Sequence, residues 1–424
     1  MRIVTGTTLE QPVDLRAVQR RTTVVLSWSQ VLGSAGLTSG ITMGGLIAKD
    51  LLGGATWAGA ATAALTLGTA VASARLSELM FRRGRRPGLA VGYVLGSIGG
   101  AVSILAAQLR SFPLLLAGSL LLGCGQSSNL LSRYAAADLA EPGRRARAIS
   151  RMVFMSTFGA VAGPALVGVG GSLGRVVGIE QRAGPYLFSV AFFVIAAVIV
   201  TTQLRPDPLV LAGGVSPGRP SRRLDVVGPL RIVVRSPAGR LALASMATSQ
   251  AVMVAVMTMT PLYMEDHDHS VQLIGWVLAV HIAGMYVLAP IVGRLNDRFG
   301  GPPMIGVGAT VLVAATVVTA VAGAVPSLLF AGLFLLGLGW SFGLISGSSL
   351  LSGAVPLEDR ARVQGAADLC MSLCGAIAGF ASGFVAQGLG FHVLANAGTI
   401  AASALLVVAV AARAVGTPGR TSQA

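Results

Sequence analysis

Charge is scarce in this chain: only 11% of its 424 residues are Asp, Glu, Lys or Arg. A water-soluble domain carries roughly 25%, so a soluble globular fold is excluded. Lysine occurs once, as Lys49, and no G-x-x-x-x-G-K-[ST] phosphate loop exists, which removes an ATP-driven pump. Cysteine is limited to Cys124, Cys370 and Cys374, all inside apolar runs. Cys370 and Cys374 are one helical turn apart, so these read as small packing residues rather than a disulfide framework. Neither a nucleophile elbow nor a His/Asp cluster at a membrane face is present, so no enzyme and no cofactor are expected.

Apolar residues make up 54% of the chain, and the mean hydropathy is +0.76. They gather in runs that reach the roughly 20 residues a helix needs to cross a bilayer. The 56 glycines fall largely within these runs, where small residues let membrane helices approach closely. Spans are expected at about 23–47, 55–76, 88–109, 111–132, 149–173, 184–204, 241–263, 271–293, 303–324, 326–350, 363–388 and 391–412. The reading is an all-α integral membrane protein of twelve transmembrane helices in two six-helix bundles. Residues 1–204 form the first, 205–240 a linker, and 241–424 the second. The linker is rich in Pro and Arg (Pro217 and Pro220 among them), with a short amphipathic helix expected near Pro229–Arg235.

The net charge of +15 follows topology. Lys49, Arg110, Arg175 and Arg182 fall in odd-numbered connections, and every other basic residue falls on the opposite side. Cytoplasmic loops carry the excess of Lys and Arg, which places both termini and the linker in the cytoplasm and the chain in the plasma membrane. The basic side then faces membrane lipid, and no nucleic-acid partner is expected. Residues 1–22 are polar, with Glu10, Asp14, Arg16, Arg20 and Arg21, so no cleavable signal peptide is expected.

The halves repeat at an offset of 216. Leu79, Arg82 and Gly84 map onto Leu295, Arg298 and Gly300, and Arg144 maps onto Arg360. Gly159 and Gly163 map onto Gly375 and Gly379. Gly293-Arg294-Leu295-Asn296-Asp297-Arg298-Phe299-Gly300 places a turn and an Asp/Arg couple at a helix end, where it can pair across neighbouring helix ends and break when the halves rock. The first copy, Ser77-Glu78-Leu79-Met80-Phe81-Arg82-Arg83-Gly84-Arg85-Arg86, is degenerate. Helix 5 contains Gly159-Ala160-Val161-Ala162-Gly163-Pro164-Ala165-Leu166-Val167-Gly168, in which Gly159 and Gly163 offer a smooth face and Pro164 bends the helix.

These segments resemble the major facilitator superfamily. The helix 8–9 loop resembles its signature G-x-L-x-D-R-x-G, and the helix 5 segment resembles its antiporter motif G-x-x-x-G-P-x-x-G-G, from which Val167 departs. The resemblance implies two parallel-related halves, alternating access, and gating by Arg82, Gly84, Arg85, Gly293, Asp297, Arg298 and Gly300. It also implies an antiporter-like role for Gly159, Gly163, Pro164 and Gly168, as in drug:proton antiporters. Phe81 stands where the family places an acid. Either Glu78 substitutes, or the latch is asymmetric. The helix 4 arginine of the antiporter group is missing, its position falling on Ser119.

A charge at mid-bilayer costs on the order of 2.5–3.5 kcal/mol by insertion scales, so ionisable residues there are functional candidates. Asp368 in helix 11 and His281 in helix 8 are the candidates for proton coupling. The structural alternatives are a partnership of Asp368 with Arg360 or Arg362, and a carbonyl bond for His281. Arg133 and Asp138 end helix 4, where they can pair and gate. In the family, helices 1, 4, 7 and 10 wall the cavity, which points to Ser27, Gln30, Ser34, Gln126, Asn129, Gln250, Met253, Met257 and Trp340. His267 and His269, in an acidic outer loop, could capture a metal, but a plain acidic loop accounts for them with no ligand at all, and no metal is expected. The expectation is a monomeric, proton-coupled exporter of small, partly hydrophobic molecules. The alternatives are a carrier of a metal, metal chelate or other small solute, and a non-transporting sensor.

Overall fold

The computed structural model describes residues 14–52, 60–215, 225–323 and 325–415. The polar stretch up to residue 13, the start of the second expected span (55–59), and the linker around Pro217 and Pro220 lie outside the described residues.

The described chain is helical throughout. Its helices are α1 Leu15–Leu52, α2 Ala60–Arg83, α3 Arg85–Gln108, α4 Phe112–Ala135, α5 Arg145–Ala165, α6 Val167–Val176, α7 Tyr186–Gln203 and α8 Pro208–Leu211. There follow α9 Val227–Arg235, α10 Pro237–Glu265, α11 Val271–Tyr286, α12 Ala289–Phe299, α13 Gly301–Val321, α14 Pro326–Ala354, α15 Arg360–Leu389 and α16 Phe391–Val415. Among the described residues ten elements are long and apolar enough to cross a membrane, with α11 and α12 running as one; the bent pair α5–α6 makes eleven. Helix α2, which carries Arg75, Glu78, Arg82 and Arg83, does not reach that hydropathy. Only helices can satisfy every backbone polar group within lipid without closing a barrel, so runs of this composition leave the chain no other choice.

Local sequence sets the ends. Pro113, Pro237 and Pro326 stand in the first turns of α4, α10 and α14, where the missing N–H is harmless. Gly84 and Gly300 adopt φ +93° and +88° between consecutive helices, a conformation that side chains disfavour. Pro164 lies within α5, and the chain bends by 50° between α5 and α6. The expected linker helix is present as α9.

Two principal cores form. One gathers Leu26, Leu89, Tyr93, Leu131, Tyr134 and Phe193 from α1–α7; the other gathers Met246, Leu312, Leu333, Trp340, Val363 and Met371 from α10–α16, joined by Ile149 and Val153 of α5. Side chains such as Phe380 and Ile400 point outward and are about three-quarters exposed, as helices facing lipid require.

Candidate transport site and latch

The last turn of α4, Ser132-Arg133-Tyr134-Ala135, brings a guanidinium against α15. Arg133 Nη2 donates to Asp368 Oδ1 at 2.5 Å and to the Tyr134 hydroxyl at 3.1 Å, and Nε donates to Ser348 Oγ at 3.1 Å. The Tyr134 hydroxyl also donates to Asp368 Oδ1, at 3.2 Å. Asp368 is wholly buried, and its Oδ2 lacks a hydrogen-bond partner. Burying an ion pair costs several kcal/mol per ion in desolvation, which is recovered only where geometry and further hydrogen bonds are good. Arg133 has such partners on three sides.

The Arg133–Asp138 pair expected from sequence is not formed. The turn after α4 carries Asp138 away from Arg133 and against the start of α3, where Arg85 Nε and Nη2 hold its oxygens at 2.7 and 3.1 Å. Arg85 is fully buried and also donates to Gln364 Oε1 at 2.6 Å; Gln364 Nε2 in turn donates to Ser352 Oγ at 3.0 Å. Gln364 and Asp368 stand one turn apart on the same face of α15. The partner of Asp368 is Arg133, rather than Arg360 or Arg362.

The helix-end motif sits nearby. Asp297 accepts from the amides of Ala146 and Arg147 at 3.0 and 3.2 Å and from Arg147 Nε at 2.8 Å. It thereby meets the unpaired donors and positive dipole end of α5. Arg298, expected to share this contact, is exposed and lies over Phe299 with its guanidinium 5.1 Å from the ring centre. The loop-end geometry points it outward, and Arg147 supplies the cation instead. Gly293 lies against Ser150 and the Ala146 carbonyl, leaving no room for a side chain. In the degenerate copy, Glu78 holds Arg82 at 2.5 Å and reaches across to Arg362 at 2.9 Å. The Phe81 ring lies 5.1 Å from the Arg362 guanidinium. Gly84 packs on Asp207, which accepts from the amides of Arg85 and Arg86 at 3.0 and 2.7 Å. Two acids outside the expected position therefore serve this copy.

A cavity of about 90 Å³ lies between α1, α4, α5, α11 and α14, with Arg133 in its wall. Gln30, Ser34, Gln126, Asn129 and Trp340 line it as expected. Ser27 instead donates to the Thr23 carbonyl at 2.7 Å. Helix α10 does not reach the cavity, because Trp340 stands in between and donates Nε1–H to Gln250 at 2.7 Å. Met253 is buried in the core and Met257 packs against it. Sequence reasoning missed Tyr286 and Ser156, which line the cavity. His281 Nδ1 stands 2.8 Å from the Leu333 carbonyl of α14, away from the cavity lining and from the Asp368 network.

Gly159 and Gly163 face α1 so closely that a Cβ would collide with Ser34 and Ala35, and with Thr38 and Ser39. Thr38 Oγ1 donates to the Gly159 carbonyl at 3.0 Å. Gly168 has open space around it. In the loop between α10 and α11, His267 Nδ1 lies 2.8 Å from the Tyr263 carbonyl and its ring packs on Tyr263. Among the described residues no three His, Cys, Asp or Glu converge as metal ligands would, and His269 joins no such group.

A bundle of membrane helices with an internal cavity of mixed polar and apolar lining, and ion pairs spanning its two helix sets, has the form of a solute transporter. The family model of the Major Facilitator Superfamily matches residues 26–272 and 241–423. The MFS-type transporter YdeG of Bacillus subtilis (strain 168) is 38% identical over 96% of this chain and 95% of its own length. The riboflavin transporter RfnT of Brucella anthropi is 27% identical over 88% of this chain and 91% of its own. Among solved structures, the human organic anion transporter MFSD10 (TETRAN) superposes with a TM-score of 0.76 at 17% identity, covering 94% of this chain and 100% of that one. A bacterial homologue of the iron transporter ferroportin, in an outward-facing state, gives 0.72 at 15%, covering 93% and 99%. The chain belongs to the Major Facilitator Superfamily and is a membrane transporter, not an enzyme.

Proposed function

We propose that this transporter exports small, partly hydrophobic solutes in exchange for protons by alternating access, in the manner of drug:proton antiporters. The observation that carries this reading is the Arg133–Asp368 pair, because Arg133 belongs both to the cavity wall and to the junction between α4 and α15. A proton arriving at the unpartnered Oδ2 of Asp368 removes the carboxylate charge and weakens its hold on Arg133. The junction then loosens, and the guanidinium becomes available to the cavity. Loss of the proton restores the pair.

In this reading residues 1–204 and 241–424 are the rocking halves, joined by 205–240, and the chain works as a monomer in the plasma membrane with both termini in the cytoplasm. The contacts of Asp297 with α5 and of Glu78 with Arg362 form the cytoplasmic latch. Gly159, Gly163 and Pro164 keep α5 tight on α1 as it moves. His281, held by a carbonyl of α14, is a second proton-handling position. Riboflavin, the solute in the name of RfnT, falls within the proposed size and polarity class.

The test is solute-triggered proton movement in proteoliposomes carrying an internal pH dye. A pH change with wild type that Asp368→Asn loses while still inserted supports the exchange. Undiminished gradient-driven transport by that variant would sink it.

A further inference from the structure

The cavity presents a one-sided chemistry. Among the described residues, Arg133 is the one side chain in its wall that carries a charge at neutral pH, and no carboxylate lines it. Asn129 is 4% exposed and stands in the same wall. Its Oδ1 is taken by the Tyr93 hydroxyl at 3.0 Å, whereas its Nδ2 has no hydrogen-bond partner. The neighbouring amide is already committed: Gln30 Oε1 accepts from Ser132 at 2.5 Å and its Nε2 donates to Ser156 at 2.8 Å. With the Asn129 oxygen on the Tyr93 hydroxyl, the group left over is an N–H donor. A buried donor without an acceptor costs about 1–3 kcal/mol, which a ligand acceptor removes. Across the cavity, Tyr286 and Trp340 stand edge to face, ring centres 5.9 Å apart at 90°. Two rings at a right angle form a corner that a flat ring fills by stacking on one and meeting the edge of the other. The Trp340 N–H is turned away to Gln250, so the indole offers ring surface and no donor to the cavity.

We propose that the solute is a flat aromatic molecule carrying a hydrogen-bond acceptor on one edge and no positive charge, with the ring in the Tyr286–Trp340 corner and the acceptor on Asn129 Nδ2. A cation meets the like charge of Arg133 and no carboxylate to offset it. This names the solute class of the site in the proposed exporter and rests on that site being where solute binds.

The test is equilibrium binding to the purified full-length protein in lipid nanodiscs, read by tryptophan fluorescence or calorimetry. Three probes of similar size are compared: 2-naphthamide (flat, with a carbonyl acceptor), 2-naphthylmethylammonium (flat, cationic) and decalin-2-carboxamide (an acceptor without a flat ring). The amide of naphthalene should bind at least tenfold more tightly than either of the others. Asn129→Asp keeps the shape and the Tyr93 bond but replaces the donor with an oxygen, so it should weaken the naphthamide about tenfold and strengthen the ammonium probe. Asn129→Leu, a second variant that introduces no charge, should weaken the naphthamide and leave the ammonium probe unchanged. A cation bound as well as the naphthamide, or a decalin amide bound equally well, overturns the proposal. So does naphthamide binding unchanged by both Asn129 variants. Because no gradient is applied, the outcome is independent of whether transport is coupled to protons.

Discussion

Asp368 has two oxygens with different fates, one bound by Arg133 and Tyr134 and one without a partner. Removing one partner of a buried pair leaves a bare charge, which typically costs 3–5 kcal/mol, whereas replacing both by apolar residues is often nearly neutral. Arg133→Leu should therefore lower the thermal midpoint of the purified protein strongly, and Arg133→Leu/Asp368→Leu should recover most of the loss. If the double variant were as unstable as the single one, the pair would not be the reason for the burial. Asp368→Asn should behave differently, keeping the shape and an acceptor for Arg133 and so remaining folded, while proton movement is lost. Ser348 is a useful comparison, because it meets the same guanidinium with an uncharged hydroxyl at 3.1 Å. Ser348→Ala should cost about 1.5–3 kcal/mol by the same thermal measurement, less than Arg133→Leu, and leave proton movement intact.

At the scale of the helix, the bent pair α5–α6 holds two kinds of glycine, Gly163 in α5 and Gly168 just past the bend in α6. Gly163 meets Thr38 and Ser39 of α1 with no room for a side chain, and Gly168, five residues on, faces open space. Gly163→Leu should therefore force α1 and α5 apart and abolish transport or folding. Gly168→Leu should insert and transport at close to the wild-type rate, as measured by solute flux per inserted protein. Equal damage at both positions would mean that the motif matters for something other than packing. Helix positions were legible in the sequence because hydropathy, the offset repeat and helix-end prolines all act locally. Asp297 was legible for the same reason, since its spacing within the loop is fixed. Its partner Arg147 was not, because that contact joins segments 150 residues apart. The expected Arg133–Asp138 pair failed on the same ground: adjacency in sequence said nothing about Arg85 arriving from α3. One signal was available for the pair that did form. Under the offset of 216, Arg133 falls on Ser349 and Asp368 on Met152, so both charges break the repeat. A charge that only one half carries has no role in the shared scaffold, which makes such positions worth pairing with each other. The cavity wall was half legible, because a polar stripe on α1 or α4 shows in helical periodicity. The intrusion of Trp340 in front of α10 is a matter of tertiary packing.

Across the whole molecule, the polar links between α1–α7 and α10–α16 fall at one end of the bundle. Asp297 joins α12 to α5, Glu78 joins α2 to α15, Arg85 reaches Gln364, and Arg133 reaches Asp368. Their environments differ. The Arg147 side chain is half exposed, so its ion pair is worth about 0–1 kcal/mol, with the capping of α5 adding roughly 0.5–2 kcal/mol. The Arg133–Asp368 pair is sealed from water. A gate of this kind should open in stages, the outer cap being weak and the inner pair being broken by protonation. Amide hydrogen exchange can see this, because Asp297 is bonded directly to the amides of Ala146 and Arg147. In Asp297→Asn, exchange should quicken at residues 145–149 of α5 and stay near wild type over 360–368 of α15. In Asp368→Asn, which mimics the protonated state, the faster exchange should appear at 360–368. If the two contacts belong to one moving boundary, the double variant should raise exchange at both segments by more than the sum of the singles. A coupling energy well above the roughly 0.3–0.5 kcal/mol scatter of independent sites is expected. Strict additivity would mean that the end of the bundle is held by separate local contacts, and that releasing the buried pair does not by itself part the two helix sets.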